Sequence, residues 1–230
     1  MFYSFVEIFN SNMRNYFVVD LLYDRILIFD DNWNYQKFRI LPKPAYLKEV
    51  DENIFISSSN SFFKTNTNVD VIRTYQQRGA DYRGIFYEKS TELFFVASES
   101  LRRIDVFNKN LSLTKSIDMG EYVPYSINSY QKSELLIGTR FGEILTFNNN
   151  VGKIVKVYKT CRSYVTSIVL DIDGYMALTC YYPDNSMRLF HVNGTYTGVE
   201  KPTAKYPEFA NFDSNGRLVV VANDQVDIFN

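Results

Sequence analysis

A short sequence unit recurs six times along the 230-residue chain, and this recurrence limits the fold more than any other feature. In each copy a short apolar run ends in a marker residue, usually phenylalanine, and a turn rich in asparagine or aspartate follows. The markers are Phe29, Thr65, Phe107, Phe147, Phe190 and Phe229. They lie 36, 42, 40, 43 and 39 residues apart. A period near 40 residues is typical of β-propellers, in which each repeat forms one four-stranded blade.

The runs around each marker predict strands rather than helices. Tyr16–Val19 and Ile26–Phe29 are short and rich in β-branched and aromatic residues, and a polar turn separates them. The segments after the markers, such as Val69–Tyr75 and Lys153–Tyr158, are more polar and alternate. Continuous apolar inner strands and an alternating outer strand are what radially stacked sheets require. The sequence therefore predicts an all-β fold, a six-bladed β-propeller of four-stranded antiparallel blades.

The repeat also predicts where the blades divide. A single domain covers residues 1–230, and its blades occupy approximately 1–42, 43–79, 80–120, 121–160, 161–204 and 205–230. The last range contains only three strand-like runs, so the last blade is expected to lack its outer strand. An unpaired strand edge is an aggregation hazard, which favours a propeller that belongs to a larger chain or complex.

Charge and apolar patterning exclude several classes of protein. The chain has 25 basic and 26 acidic residues, so no net field attracts nucleic acid or an anionic membrane. No apolar run approaches the ~18 residues of a membrane span, and the first residues lack a signal-peptide pattern, which favours a cytoplasmic location.

Cys161 and Cys180 are expected to be reduced thiols, with a single bridge as the alternative. The sequons at Asn110 and Asn193 matter only for a secreted chain.

The first repeat resembles the NHL family of β-propellers. The residues that carry the resemblance are Val18–Asp20, Arg25–Ile26 and Phe29–Asp30, and the third blade keeps Arg103–Ile104 and Phe107. No Trp-Asp or Gly-His dipeptide of the WD40 type occurs. The resemblance implies a six-bladed propeller that acts as a binding or scaffold module, often within larger scaffolds or ubiquitin ligases.

The candidate binding residues lie in loops that a propeller gathers at one face, namely those between strands two and three and those between blades. Tyrosine and arginine in rigidly held loops are typical of protein-recognition surfaces. The predicted binding residues are Tyr23, Arg78, Arg102, Arg103, Arg140, Phe141, Arg162, Tyr181, Tyr182 and Tyr206. Acidic and basic residues balance in these loops, so a protein partner is predicted first. RNA is the second choice, because Arg102, Arg103, Arg140 and Arg162 could form a local basic patch on blades three to five.

An enzymatic function is the third alternative, and the candidate residues support it less than they support the first two. His191 is the only histidine, which excludes a metal site built from several histidines. A lactonase-like hydrolase would hold a cation in the central channel, with Glu7, Asn128 and Asn211 as candidate ligands, but no motif connects them. The sequence predicts no catalytic residue, no metal and no cofactor. Asp20 and Arg25 are expected to connect strands rather than to bind a ligand.

Overall fold

In the computed structural model the described residues are 4–9, 14–30, 32, 34–131, 133–171, 173–212, 217–222 and 225–229. They contain 23 β-strands and one short 3-10 helix, Leu21–Tyr23. The strands form six separate antiparallel sheets, each built from strands that follow one another in sequence.

Each of the first three sheets has four strands in sequence order. Blade one contains β1 (Ser4–Phe9), β2 (Arg14–Asp20), β3 (Arg25–Asp30) and β4 (Tyr35–Ile40). Blade two contains β5 (Pro44–Val50), β6 (Asn53–Ser58), β7 (Ser61–Asn66) and β8 (Val71–Gln76). Blade three contains β9 (Tyr82–Glu88), β10 (Leu93–Ser98), β11 (Arg103–Asn108) and β12 (Leu113–Asp118).

The next two sheets repeat this arrangement and the last is narrower. Blade four contains β13 (Pro124–Gln131), β14 (Glu134–Thr139), β15 (Glu143–Asn148) and β16 (Lys153–Lys159). Blade five contains β17 (Val165–Leu170), β18 (Tyr175–Cys180), β19 (Ser186–His191) and β20 (Tyr196–Pro202). Blade six contains β21 (Pro207–Phe212), β22 (Leu218–Ala222) and β23 (Gln225–Phe229).

The first strands of the blades line the centre of a closed ring. The inner strands β1, β5, β9, β13, β17 and β21 contact one another in this order, and β21 contacts β1. The predicted six-bladed all-β propeller is therefore confirmed, including the three-stranded last blade. The strands of each sheet lie within one of the predicted blade ranges.

The core consists of apolar layers between neighbouring blades. Phe62 of blade two packs against Phe94 and Phe107 of blade three, with ring centres 5.8 and 5.1 Å apart. Val18 of blade one and Val219 of blade six belong to one buried cluster that joins the last blade to the first. The marker phenylalanines recur because each fills such a layer, and burial of apolar surface is the main stabilising term in folding.

The polar residues of the best-preserved repeat connect two strands, as predicted. Asp20 is buried at the end of β2, and its carboxylate accepts a hydrogen bond from Arg25 Nε at 2.8 Å. It also accepts from the backbone N–H of Tyr23 at 3.3 Å and so fixes the 3-10 turn between β2 and β3. The predicted strand-connecting role of Asp20 and Arg25 is confirmed.

The two cysteines are bonded to each other, and the expectation of two reduced thiols is wrong. Cys161 follows β16 and Cys180 ends β18, and their Cα atoms lie 5.5 Å apart in a disulfide. The pairing of β17 with β18 sets Val165 opposite Cys180 and so brings Cys161, just before β17, beside Cys180, a proximity that the 19-residue sequence separation does not reveal. Disulfides are rare in the reducing cytosol, so the bond weighs against a cytoplasmic location.

In the described part of the chain, no helix has the length and apolar character that a membrane span needs.

Candidate binding face at the channel mouth

All ten predicted binding residues lie toward one end of the ring. Because strands alternate in direction, the loops between second and third strands share an end with the loops between blades. We call this end the mouth face, defined by residues 20–25, 41–43, 59–60, 77–81, 99–103, 119–123, 140–142, 160–164, 181–185 and 203–206. The sequence thus predicted the shared location, although it did not predict which side chains touch.

Tyrosines from blades two, four, five and six form a continuous row that runs inward from this face. The ring of Tyr206 lies 6.0 Å from that of Tyr182 and 5.3 Å from that of Tyr181. Tyr164 continues the row, 5.8 Å from Tyr181 and 5.0 Å from Tyr125. These contacts are within the range of favourable aromatic pairs.

The inner end of this tyrosine row lies in the central channel. The Tyr125 ring is 6.4 Å from that of Tyr46, and both rings are buried. The Tyr46 hydroxyl donates to the backbone carbonyl of Thr166 at 2.5 Å, which links blade two to blade five across the channel. Burial raises the pKa of Tyr46 and Tyr125 well above the ordinary value, so both remain neutral phenols. We use the name tyrosine row for Tyr182, Tyr206, Tyr181, Tyr164, Tyr125 and Tyr46.

A cluster of paired charges lies beside the tyrosine row. Arg83 contacts Asp81 at 2.9 Å and Glu99 at 3.3 Å, and Arg140 contacts the other oxygen of Glu99 at 3.4 Å. The guanidinium groups also lie over aromatic faces, Arg83 at 5.4 Å from the Tyr125 ring centre and Arg140 at 5.3 Å from that of Tyr164. Glu99 therefore joins blades three and four, and Arg140 connects the predicted residue set to the tyrosine row.

One carboxyl group at the channel mouth has a strongly altered acidity. Glu208 is buried at the start of β21, and its carboxyl oxygen lies 3.5 Å from the Tyr125 hydroxyl, which donates to it. Burial raises the pKa of Glu208 to about 8, although nearby Arg83 and the Tyr125 hydrogen bond oppose this shift. Glu99 has a raised pKa for the same reason, and Arg83 again acts in the opposite direction.

These groups surround a cavity of about 180 Å³ at the mouth of the channel. Its walls include Arg83, Glu99, Tyr125, Tyr164, Tyr181 and Glu208. A wider depression of about 500 Å³ adjoins it and shares Leu21 and Arg83 with it. The combination of aromatic faces, hydrogen-bonding hydroxyls and paired charges suits a polar side chain of a binding partner better than a polyanion.

The remaining predicted residues are spread around the face. Arg162 lies above the junction of blades four and five, where its Nε is 3.4 Å from Asp184. Phe141 and Tyr23 are exposed, and the Tyr23 ring lies 4.8 Å from the Arg25 guanidinium. Arg78 is exposed on the loop before blade three, and Arg102 is exposed on the loop between β10 and β11 within that blade.

Arg103, another of the predicted binding residues, forms its ion pair inside blade three. Its Nε lies 2.8 Å from the Asp105 carboxylate, which is fully buried in blade three. The hydroxyls of Tyr82 and Ser116 donate to the same carboxylate at 2.7 and 2.5 Å. Asp105 therefore satisfies three donors from three strands.

Sequence reasoning missed Tyr46, Tyr125, Tyr164, Arg83 and Glu208. Tyr46, Tyr125 and Arg83 lie within inner strands, where an aromatic or charged residue looks like ordinary strand composition. The available signal is positional, because Tyr46, Arg83, Tyr125 and Glu208 all fall in the first three residues of an inner strand. These positions meet at the channel mouth once the ring closes.

Of the candidate cation ligands of a lactonase-like hydrolase, Asn128 and Asn211 form hydrogen bonds with the backbone, and Glu7 has no described side chain. Asn128 donates to the backbone carbonyl of Ile168 at 2.9 Å and accepts from its neighbour's N–H, and Asn211 accepts from the N–H of Phe212. The Glu7 side chain is outside the described part. The described residues contain one group of three potential metal ligands, Cys161, Cys180 and Asp184. The disulfide removes both of its thiolates as ligands.

Comparisons with known proteins identify the fold but no family. No family model and no curated protein matches the chain. The WD40 β-propeller domain of Doa1 is 16% identical, with a TM-score of 0.79 over 100% of this chain and 78% of that chain. A chain of the mitotic checkpoint complex is 13% identical, with a TM-score of 0.76 over 100% and 76%. The Neurospora crassa Pan2 WD40 domain is 12% identical, with a TM-score of 0.73 over 99% and 74%. At these identities the likeness shows the propeller fold alone.

Proposed function

We propose that this propeller is a non-catalytic binding module that recognises a protein partner through its mouth face. The observation that carries the proposal is the tyrosine row, which reaches the surface at Tyr182, a side chain that is 57% exposed. Arg140 adds a cation beside the same row. Tyrosine and arginine with packed neighbours are the residue types that dominate binding energy at protein interfaces.

The loops that carry these residues are held in place before binding. The backbone N–H of Tyr206 donates to the Asn185 side chain at 2.9 Å, and that of Arg162 donates to Asp184 at 2.7 Å. A surface that is already ordered loses little conformational entropy when a partner docks, which favours affinity. A mitotic checkpoint complex chain has a similar propeller, which supports a role within a protein assembly.

The charge pattern favours a protein over RNA. Arg140 and Arg162 of the mouth face each lie within 3.5 Å of a carboxylate oxygen, and so does Arg83 beside it, so the cations nearest the tyrosine row are compensated. We also propose the NHL-like subtype on the strength of the Asp20 and Arg25 pair, whose contact orders the first repeat.

The test compares two exposed tyrosines at opposite ends of the ring. Tyr182→Ala removes the outer ring of the tyrosine row, and Tyr130→Ala removes a 42% exposed ring at the end of β13 that faces away from the mouth. A partner is first isolated by proximity labelling and purified, and its affinity is then measured by calorimetry. We expect Tyr182→Ala to weaken binding by about tenfold or more, as hot-spot residues do, and Tyr130→Ala to leave it unchanged.

Two results would overturn the proposal. In the first, both variants bind the purified partner as tightly as the unaltered protein does. In the second, the protein binds single-stranded RNA with an affinity that falls steeply with salt and is lost in Arg102→Glu/Arg140→Glu, which would assign the face to nucleic acid.

A further inference from the structure

The charged side chains around the cavity at the channel mouth do not balance. We use the name mouth cluster for the charged residues that line this cavity and their ion-pair partners, namely Asp81, Glu99, Glu208, Arg83 and Arg140. Arg83 pairs with both Asp81 and Glu99. Arg140 pairs with the other oxygen of Glu99. Within the described residues no lysine or arginine forms an ion pair with Glu208, so the mouth cluster has three carboxyl groups for two guanidinium groups.

Glu208 is the carboxyl group that lacks a counter-ion in this cluster, although it is among the most buried. The residue is 5% exposed and forms part of the cavity wall. Within the described residues its carboxyl group has one hydrogen bond, from the Tyr125 hydroxyl at 3.5 Å. Ordinary O–H···O hydrogen bonds are about 2.5 to 3.0 Å long, so this contact is weak. An unpaired carboxylate is costly to bury, and Glu208 therefore keeps a proton unless a cation lies beside it.

The aromatic walls of the cavity suit a cation with an apolar stem. The rings of Tyr125, Tyr164 and Tyr181 line the cavity together with the side chain of Leu21. Two guanidinium groups of the mouth cluster already lie over the Tyr125 and Tyr164 rings, at 5.4 and 5.3 Å from the ring centres. Aromatic faces attract cations, and lysine and arginine combine a methylene stem with a charged end.

The size of the cavity indicates a single side chain as its occupant. Its volume of about 180 Å³ lies below the roughly 300 to 1,000 Å³ of pockets that enclose drug-sized molecules. The adjoining depression of about 500 Å³ shares Leu21 and Arg83 with it. A side chain can therefore enter the cavity while the backbone that carries it stays in the wider depression.

An anionic side chain does not suit the same cavity. The Nη2 atom of Arg83 is directed at Asp81 and its Nε atom at Glu99, so this guanidinium already has two carboxylate partners. An entering carboxylate or phosphate would compete with these partners and would lie close to Glu208. It would raise the excess of negative charge that a cation removes.

We propose that the cavity binds the positively charged side chain of a lysine or arginine of the protein partner, with the Glu208 carboxylate as its counter-ion. This inference rests on the proposed function, because it assigns one contact of the partner that the mouth face recognises. The tyrosine rings surround the cationic side chain. Glu208 loses its proton to solvent as the cation enters, and the mouth cluster together with its ligand then contains three negative and three positive charges.

Binding of the cation and ionisation of Glu208 are linked. The titratable and charged groups that face Glu208, among the described side chains, are Arg83, Glu99, Tyr46 and Tyr125. Arg83 stays charged and both tyrosines stay neutral between pH 6 and pH 8, whereas Glu99 also has a raised pKa. A cation favours the carboxylate form, so its affinity is expected to increase as the pH rises toward 8, the pKa of Glu208, and to level off above it.

The probes for the test are four blocked tripeptides with glycine on both sides of a lysine, an arginine, a norleucine or a glutamate. Calorimetry measures their affinity for the full chain at pH 6 and pH 8. Carbon-13 NMR of the Glu208 carboxyl carbon, assigned by its absence from Glu208→Gln, measures the pKa of this group with and without peptide. Because this measurement uses the unaltered protein, it does not depend on the folding of a variant.

We expect saturable binding of the lysine or the arginine peptide, with the norleucine and glutamate peptides weaker by about tenfold or more. The tighter of the two basic peptides identifies the residue type of the partner. Its affinity is expected to rise roughly tenfold or more from pH 6 to pH 8, and the pKa of Glu208 is expected to fall by about one unit or more at saturation.

Two variants assign the effect to Glu208 rather than to Glu99. Glu208→Gln should weaken binding of the preferred basic peptide by about tenfold or more at pH 8 and should remove the dependence on pH. The matched control is Glu121→Gln, which removes an exposed carboxylate from the same face and is expected to change neither quantity. Thermal unfolding curves verify that both variants are folded.

Four results would contradict the inference. Equal affinity for the basic and norleucine peptides would show that the cavity takes an apolar side chain. Preference for the glutamate peptide would assign it to an anion. An unchanged pKa of Glu208 at saturation would place the cation elsewhere. Absence of saturable binding of both basic peptides up to roughly 50 mM would show that the cavity does not accept a basic side chain.

Failure of this inference and failure of the proposed function give different results. If a purified partner loses affinity with Tyr182→Ala while neither basic peptide binds, the mouth face still recognises a protein and the role of the cavity is wrong. If a basic peptide binds as expected and a purified partner is unaffected by Tyr182→Ala, the cavity holds a cation and the proposed protein-binding surface is wrong.

Discussion

Replacement of Glu208 by glutamine tests whether the carboxyl group at the channel mouth is neutral in the folded protein. Burial raises the pKa of Glu208 to about 8 from an ordinary value of 4.5. A raised carboxyl pKa means that the folded state binds the proton more tightly than the unfolded state does. The folded state therefore loses stability as the pH rises from 4.5 to 8, and the loss is complete above pH 8.

The size of this effect follows from the difference between the two pKa values. One pKa unit corresponds to about 1.4 kcal/mol, so ionisation of Glu208 is expected to cost on the order of 4 to 5 kcal/mol above pH 8. Glutamine has nearly the same shape and can still accept the Tyr125 hydrogen bond, but it does not titrate. Glu208→Gln should match the unaltered protein near pH 4.5 and exceed it in stability by several kcal/mol at pH 9.

The assay is urea unfolding followed by circular dichroism at pH 5, 7 and 9. Other carboxylates titrate over the same range, so the informative quantity is the difference in unfolding free energy between variant and unaltered protein at each pH. Glu121→Gln, an exposed carboxylate at the same face, serves as the control and is expected to give a small difference without a pH trend. A constant difference for Glu208→Gln between pH 5 and 9 would contradict a raised pKa of Glu208, because it would show that Glu208 is ionised throughout.

Two further predictions concern stability. Cys161→Ala/Cys180→Ala is expected to lower the unfolding free energy by about 3 kcal/mol, because the bond closes a loop between residues 19 apart in sequence. An unchanged urea midpoint after reduction would contradict this. Asp105→Ala is expected to cost about 3 to 5 kcal/mol, since Tyr82 and Arg103 lose a buried ionised partner. Asp70→Ala, at an exposed aspartate, is the control, and an equal cost for both variants would argue against the blade-three cluster.

The architecture was predictable because the repeated residues are the ones that hold the blades together. Phe107 and Phe147 belong to a repeat of about 40 residues because each fills the layer between two blades. The three-stranded last blade was also predictable, because each strand is a local sequence pattern and residues 205–230 contain only three such patterns. Asp20 and Arg25 were assigned correctly because they flank one turn, where sequence proximity is spatial proximity.

The candidate site was predictable in location and not in composition. Strand alternation places every second loop at one end of the ring, so the location of the mouth face follows from the strand order alone. The contact of Tyr164 with Tyr125, and of Arg83 with Glu99, depends on how far each strand reaches into the channel and how the blades are rotated. The disulfide was missed for a different reason, since it depends on the register in which β17 pairs with β18 within blade five. Side-chain contacts across blades are fixed by the closed ring and not by the local pattern.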